Sequence, residues 1–151
     1  YEKAKKYFKH AIKINPDNII ANLRYGKICQ VYLKDYESAM DCYHRILSVD
    51  PGHYKSYYQI GLIQYEQKKP TEAHESFKNA LKANSKYAPA WKAIGILLFE
   101  NNKIESALKY FDKAVTFDPK DIETKIYIGN CYYELQVFCI KLSLLLMDWI
   151  E

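Results

Sequence analysis

Apolar residues recur three and four apart along most of this chain, the spacing of one helical face. The clearest stretch is 91–119. Trp91, Ile94 and Leu98 stand at i, i+3 and i+7, and after a short break Ala107, Phe111 and Ala114 resume the same spacing. This predicts two helices joined by a tight turn, the second ended near Pro119, because proline cannot continue a helix. Gly95 and Ala107 are small residues on the apolar faces, so the two helices can approach closely there. A glycine inside a helix costs about 0.5–1 kcal/mol, so its place here points to that approach. One such hairpin cannot bury all of its apolar surface and needs neighbours.

The chain supplies them by repetition. Gly26, Gly61, Gly95 and Gly129 each follow Tyr25, Ile60, Ile94 or Ile128. Ten residues before each glycine stands Pro16, Pro51, Ser85 or Pro119; twelve before each of those stands Ala4, Ala39, Ala73 or Ala107. An aromatic follows each alanine at the fourth position: Phe8, Tyr43, Phe77 or Phe111. The period is 34, with one extra residue between Gly26 and Ala39. Self-similarity at this period marks a helical solenoid. The order W-x2-[LI]-G-x2-[YL], then A-x3-F and a closing proline, resembles the tetratricopeptide repeat family over residues 1–136. The resemblance implies an all-α fold, an α-solenoid of stacked antiparallel hairpins wound as a right-handed superhelix.

In chain order, residues 1–18 read as the second helix of a truncated repeat, with Tyr1, Ala4, Phe8 and Ala11 inward, so the chain is expected to be a fragment of a longer array. Residues 19–53, 54–87 and 88–121 read as three full repeats in a single array. In the first, Asn22 stands where a bulky aromatic is usual, and the extra residue predicts a loosened or lengthened turn around Val31, Tyr32, Leu33 and Lys34. Pro70 and Pro89 fall at helix starts, where a missing N–H costs little. Ser85 replaces a closing proline and ends its helix through turn chemistry. Residues 122–151 read as a partial, degenerate repeat: a first helix over 122–134, then an apolar helix in which Lys141 takes the place of the small alanine. That tail is too short, and too charged at Lys141 and Asp148, for the ~20 apolar residues of a membrane span. Three readings stay open: a degenerate second helix, self-association or partner contact through residues 137–151, or an artificial chain end.

The net charge of +4 sits in the first sixteen residues, where Lys3, Lys5, Lys6, Lys9 and Lys13 face only Glu2. The rest of the chain is neutral. Cys29, Cys42, Cys131 and Cys139 form no CxxC, fall in predicted helices and suit a reducing compartment, the cytoplasm or nucleus. Nothing here has the spacing of a nucleotide loop, a nucleophile elbow or a metal site, and His10, His44, His53 and His74 lie apart. No catalytic residue, cofactor or metal is expected, and the chain does not read as an enzyme.

The resemblance implies a concave groove lined by the first helices. With the glycine as the eighth repeat position, the groove-facing residues are Ile20, Leu23, Arg24, Lys27 and Gln30; Lys55, Tyr58, Gln59, Leu62 and Tyr65; Pro89, Lys92, Ala93, Ile96 and Phe99; and Glu123, Ile126, Tyr127, Asn130 and Tyr133. The candidates for binding are Leu23, Arg24, Lys27, Tyr58, Gln59, Leu62, Tyr65, Lys92, Ile96, Phe99, Ile126, Tyr127 and Asn130. This strip is apolar and tyrosine-rich, with cations at one end. Family members that clamp a terminal carboxylate use Lys and Asn where this chain has Leu23, Gln59, Pro89 and Ala93, with only Lys27 matching. The asparagine ladder of O-GlcNAc transferase repeats would need Asn at Arg24, Gln59, Ala93 and Tyr127. The expected function is therefore a protein-interaction scaffold that takes a peptide or partner helix, within a larger assembly of the co-repressor, anaphase-promoting or ciliary transport kind. No small-molecule substrate is implied. The alternatives are nucleic-acid binding through the basic first helix with tyrosine stacking, or the docking arm of an enzyme whose catalytic part lies elsewhere.

Overall fold

The computed structural model describes the backbone of residues 2–147 and the side chains of residues 2–139. Among the described residues eight α-helices follow one another: α1 (Glu2–Ile14), α2 (Ile19–Ile28), α3 (Tyr36–Val49), α4 (Tyr54–Glu66), α5 (Pro70–Ala83), α6 (Ala88–Glu100), α7 (Ile104–Phe117) and α8 (Ile122–Met147). No strand occurs among the described residues, so the fold is all-α and built of antiparallel hairpins. Contacts gather the chain into two compact units, Tyr1–Ser85 and Lys86–Glu151.

Local chemistry sets the helix starts. The Ala21 N–H donates to Asn18 Oδ1 at 2.8 Å ahead of α2, and the Ser38 N–H donates to Asp35 Oδ1 at 3.1 Å ahead of α3. Each satisfies one of the four orphan donors of a helix start. Pro70 opens α5, where its missing N–H is no loss. The turn inside each hairpin uses a left-handed residue: Lys34 (φ 55), Lys68 (φ 61) and Asn102 (φ 58). After two of them the N–H groups of Lys69 and Lys103 donate to the carbonyls of Gln64 and Leu98, both at 2.9 Å. These turn residues repeat every 34 positions, which confines the extra residue of the first hairpin to the stretch between Gly26 and Lys34.

The structure absorbs that residue as a π-helical turn, Cys29–Leu33, continuing α2. The predicted lengthening is thus a widened turn of helix, a form often found where one residue is inserted. Its consequence is local. Gln30 is buried, and Tyr43 Oη donates to Gln30 Oε1 at 2.9 Å. The other hairpins have Phe77 and Phe111 where Tyr43 stands, with no hydroxyl to satisfy. Asn22 is also buried; its Nδ2 donates to the carbonyls of Pro16 (2.7 Å) and Asn18 (3.0 Å), tying down the turn before α2.

In the first unit Cys29, Ala39, Tyr43 and Ile46 form one core with Ile60 and Ile63 of α4. In the second, Ala107, Phe111 and Cys131 are packed by Ile96, Leu98, Phe99, Tyr127 and Ile128. The glycines sit where hairpin helices cross. A Cβ on Gly26 would lie 3.1 Å from Tyr43 Cε1, on Gly61 2.5 Å from Phe77 Cε1 and on Gly95 2.6 Å from Phe111 Cε1. Gly129 breaks the series: nothing lies within 4 Å of its added Cβ, and it is exposed.

The cause is α8. The expected fourth hairpin, with a first helix ending near 134 and a second after it, does not form. One helix of 26 residues runs from Ile122 to Met147, about 39 Å at 1.5 Å per residue. Where earlier hairpins turn at Lys34, Lys68 or Asn102, α8 carries Leu135, Gln136 and Val137. The residue after each left-handed position is polar in the hairpins (Asp35, Lys69, Lys103), whereas here it is the apolar, β-branched Val137, and the helix continues. The readings that rest on side chains beyond Cys139, self-association through residues 137–151 among them, lie outside the described residues.

Candidate functional site

Each unit presents its own set of outward first-helix residues. In the first unit, Leu23 of α2 packs on the core that holds Ile60 and Ile63 of α4, while Arg24 and Lys27 beside it are exposed. On α4, Tyr58, Leu62 and Tyr65 stand at i, i+4 and i+7, one stripe of the helix, and all three are half-buried, as is Gln59. Tyr58 is also part of the hairpin's packing: its ring lies 5.6 Å from that of Phe77, tilted by 44°. Beyond the stripe, Tyr36 Oη donates to Glu66 Oε2 at 2.5 Å, and Lys34 Nζ lies 3.5 Å from the same oxygen. Ile20 is exposed, and Lys55 Nζ stands 5.8 Å over the Tyr54 ring. Gln30, outward by counting, is inside instead, because the π turn shifts the register after Cys29.

The second unit is arranged differently. Lys92 of α6 is paired with Asp121 Oδ2 at 2.9 Å and Glu123 Oε2 at 2.8 Å. Burial pulls its pKa down, but the hydrogen bonds to Glu123 and Asp121 outweigh that and hold it above the ordinary lysine value. Burial would raise Asp121, yet Lys92 and the Thr124 hydroxyl, which donates to Asp121 Oδ2 at 2.8 Å, bring its carboxyl below the usual range. Asp121 also accepts from the N–H groups at the start of α8. Tyr127 is half-buried, stacked on Phe111 at 5.1 Å and edge-on to Phe99 at 5.9 Å; burial pushes its hydroxyl up. Ile96 and Phe99 are half-buried, Ala93 is buried, and Ile126, Asn130, Tyr133 and Glu123 are exposed. Asp121 was missed from sequence. Its only signal is an acidic residue one repeat on from the Lys92 helix, and local spacing cannot mark that as a partner.

The buried thiols offer no nucleophile. Burial pushes Cys42 up to about 12 and raises Cys29 and Cys131, so these groups stay protonated at neutral pH, whereas a reactive cysteine must be thiolate. Among the described residues, no helix is long and apolar enough to cross a membrane.

Hairpins with a glycine of the first helix under an aromatic of the second, repeated every 34 residues, define a helical-repeat protein. The chain belongs to the tetratricopeptide repeat family. Family models described as Tetratricopeptide repeat match residues 58–122 and residues 1–18, together more than half of the chain. Among curated proteins it is similar to the Saccharomyces cerevisiae "Small glutamine-rich tetratricopeptide repeat-containing protein 2", 34% identical over 54% of this chain and 23% of that one. It is also similar to the Drosophila melanogaster "BBSome complex member BBS4 homolog", 23% identical over 79% of this chain and 25% of that one. The chain thus spans a quarter or less of these relatives. Among solved structures it resembles MamA (TM-score 0.74, 20% identity, 87% of this chain and 77% of that one). It also resembles the first TPR of Spaghetti (RPAP3) bound to the HSP90 peptide SRMEEVD (TM-score 0.71, 20% identity, 78% and 93%). A third likeness is to YrrB, described as a TPR protein with an unusual peptide-binding site (TM-score 0.73, 24% identity, 90% and 70%).

Proposed function

We propose that this chain is a protein-interaction module that takes an apolar peptide or partner helix along the first-helix stripe of its first unit, as part of a larger assembly. The observation that carries this reading is the row of half-buried Tyr58, Leu62 and Tyr65 on α4 beside Leu23, with exposed Arg24 and Lys27 alongside. Half-buried aromatics held by the core beneath them lose little side-chain freedom on binding, which makes them good anchors. Two structures that share this fold, one bound to a peptide and one described as having a peptide-binding site, support the same class of partner. Side chains of the second unit, Ile96, Phe99, Ile126, Tyr127 and Asn130, are proposed as a further contact surface. Its lysine is already neutralised by Asp121 and Glu123, so that surface favours uncharged residues.

The test is selection of binders from a displayed library of helices and extended peptides against the chain, followed by affinity measurements on the winners. Leu62→Asp and Lys27→Glu should each weaken the selected ligands by about tenfold or more, as hot-spot losses do. Glu72→Lys, on the exposed face of α5, should leave affinity unchanged. Equal binding by all three variants would remove this stripe from consideration.

A further inference from the structure

The π turn changes which residue ends the stripe of the first unit. Four residues on from Gly26, Gly61 and Gly95 stand Gln30, Tyr65 and Phe99. Three residues before the left-handed Lys34, Lys68 and Asn102 stand Val31, Tyr65 and Phe99. The later hairpins put the same residue at both places; in the first, the inserted residue separates them. Side-chain bonds decide which one faces out. Gln30 Oε1 accepts from Tyr43 Oη at 2.9 Å, and Gln64 Oε1, likewise four places before its turn residue, accepts from Ser76 Oγ at 2.6 Å. Both glutamines therefore face their second helices, and the residue after each, Val31 or Tyr65, takes the outward place. Val31 is 45% exposed.

Charge on the same helices is one-sided. Residues 19–33 carry Arg24 and Lys27 and no acid, and α4 carries Lys55 and a single acid, Glu66. Glu66 is already engaged by the Tyr36 hydroxyl and by Lys34. Arg24 and Lys27 are exposed, and among the described residues neither has a carboxylate within ion-pair distance. We propose that the ligand of this stripe is an amphipathic peptide with two marks: a side-chain carboxylate over Arg24 and Lys27, and, toward the hairpin turns, an apolar residue seated on Val31 and Tyr65. This rests on the reading of the stripe as the binding surface. The rest of the peptide's apolar face meets Leu23, Tyr58 and Leu62. The charge pairs set orientation and speed of encounter, while the apolar contacts supply most of the affinity. A nucleic-acid backbone is the poorer occupant, because it would lay phosphates across these apolar side chains and gain few cations in return.

A displayed library of amphipathic peptides, with the positions flanking the apolar face randomised among Glu, Gln and Lys, tests this by selection on the 151-residue chain. The selected peptides should be enriched in Glu and should lose about tenfold in affinity on Lys27→Glu. Changing the peptide's Glu to Lys should restore binding to that variant, a reversal that damage to the fold would not give. Val31→Ser, at a half-exposed position, should weaken the selected peptides several-fold and leave the urea midpoint unchanged. Peptides that are lost on Leu62→Asp but show no excess of Glu, or that bind Val31→Ser as well as the unmutated chain, overturn the inference and leave the stripe as the binding surface. If no peptide is selected, or if those selected ignore Leu62→Asp, the stripe itself fails and the inference with it. A poly(U) oligonucleotide that binds more tightly than the peptides and is lost on Lys27→Glu overturns it in favour of a nucleic acid.

Discussion

Gly95 and Gly129 occupy the same repeat position, yet the structure assigns opposite signs to the same substitution. Alanine in a helix interior is favoured over glycine by about 0.8–1 kcal/mol. At Gly129, where an added Cβ meets nothing within 4 Å, most of that gain should appear, stabilising the chain by about 0.5–1 kcal/mol. At Gly95 the same methyl would stand 2.6 Å from Phe111 Cε1 and 2.7 Å from Cδ1, where carbon atoms prefer about 3.5–4.0 Å. The ring would have to retreat by about 1 Å on that measure. It has little room, being fully buried and already stacked on Tyr127 at 5.1 Å. Overpacking of this kind costs about 1–3 kcal/mol, which exceeds the propensity gain, so Gly95→Ala should be destabilising. The two variants should differ by about 2–3 kcal/mol in urea unfolding followed by helical circular dichroism. If both substitutions stabilise, the Gly95 crossing is looser than the structure has it. If Gly129→Ala destabilises, something does pack on α8 there.

Three further predictions follow from the turns and the polar contacts. Lys68→Gly relieves a left-handed non-glycine residue at φ 61 and should raise stability by about 0.5–1 kcal/mol; an unchanged or lowered melting temperature would count against the turn. Tyr43→Phe removes the hydroxyl that bonds buried Gln30 at 2.9 Å and should cost about 1–3 kcal/mol, with most of it recovered in the Tyr43→Phe, Gln30→Leu double variant; a double-mutant cycle in urea checks this. Asp121, held below the usual carboxylate range with Lys92 as a partner, contributes stability that is present above its unfolded pKa of about 3.9. That contribution is lost as pH falls through the lower folded value. Lys92→Met should flatten this acid limb of the urea midpoint, and an unaltered limb would show that the pair does not matter to folding.

Much of the fold was legible because repeat geometry writes itself at fixed positions. Gly26, Gly61 and Gly95 mark crossings; Ala39, Ala73 and Ala107 mark the places where a partner helix leaves no room. The extra residue was visible as a break in the count, though its form was not: a π turn and a longer loop are the same number in the sequence. The run-through of α8 was marked by Val137, an apolar residue where the hairpins have Asp35, Lys69 and Lys103 after the left-handed turn residue. It was hidden by the helical repeat before it, which invites another hairpin. Candidate ligand contacts were legible only as outward positions. Whether an outward side chain is free depends on groups far along the chain: Lys92 meets Asp121 and Glu123, and Tyr127 lies on Phe111. Helical spacing carries no information about such pairs.

The first hairpin stands apart from the other two in what holds it. Between α4 and α5, and between α6 and α7, the crossing is a phenyl ring on a glycine, an apolar contact with no polar atom to satisfy. Between α2 and α3 the ring belongs to Tyr43, and burial pushes its phenol well above the ordinary value, so the hydroxyl must find an acceptor inside. The π turn supplies Gln30, and one helix turn before Gly26 the buried Asn22 fixes two backbone carbonyls of the preceding turn. Hydrogen bonds of this kind are directional and expensive to leave unmade, and Asn22 Oδ1 is already buried without a hydrogen-bond partner. The inserted residue and the tyrosine are thus one device: deleting one residue from Cys29–Leu33 alone would restore the regular helix count but strand the Tyr43 hydroxyl. The regular count becomes favourable only when Tyr43 is changed to phenylalanine at the same time.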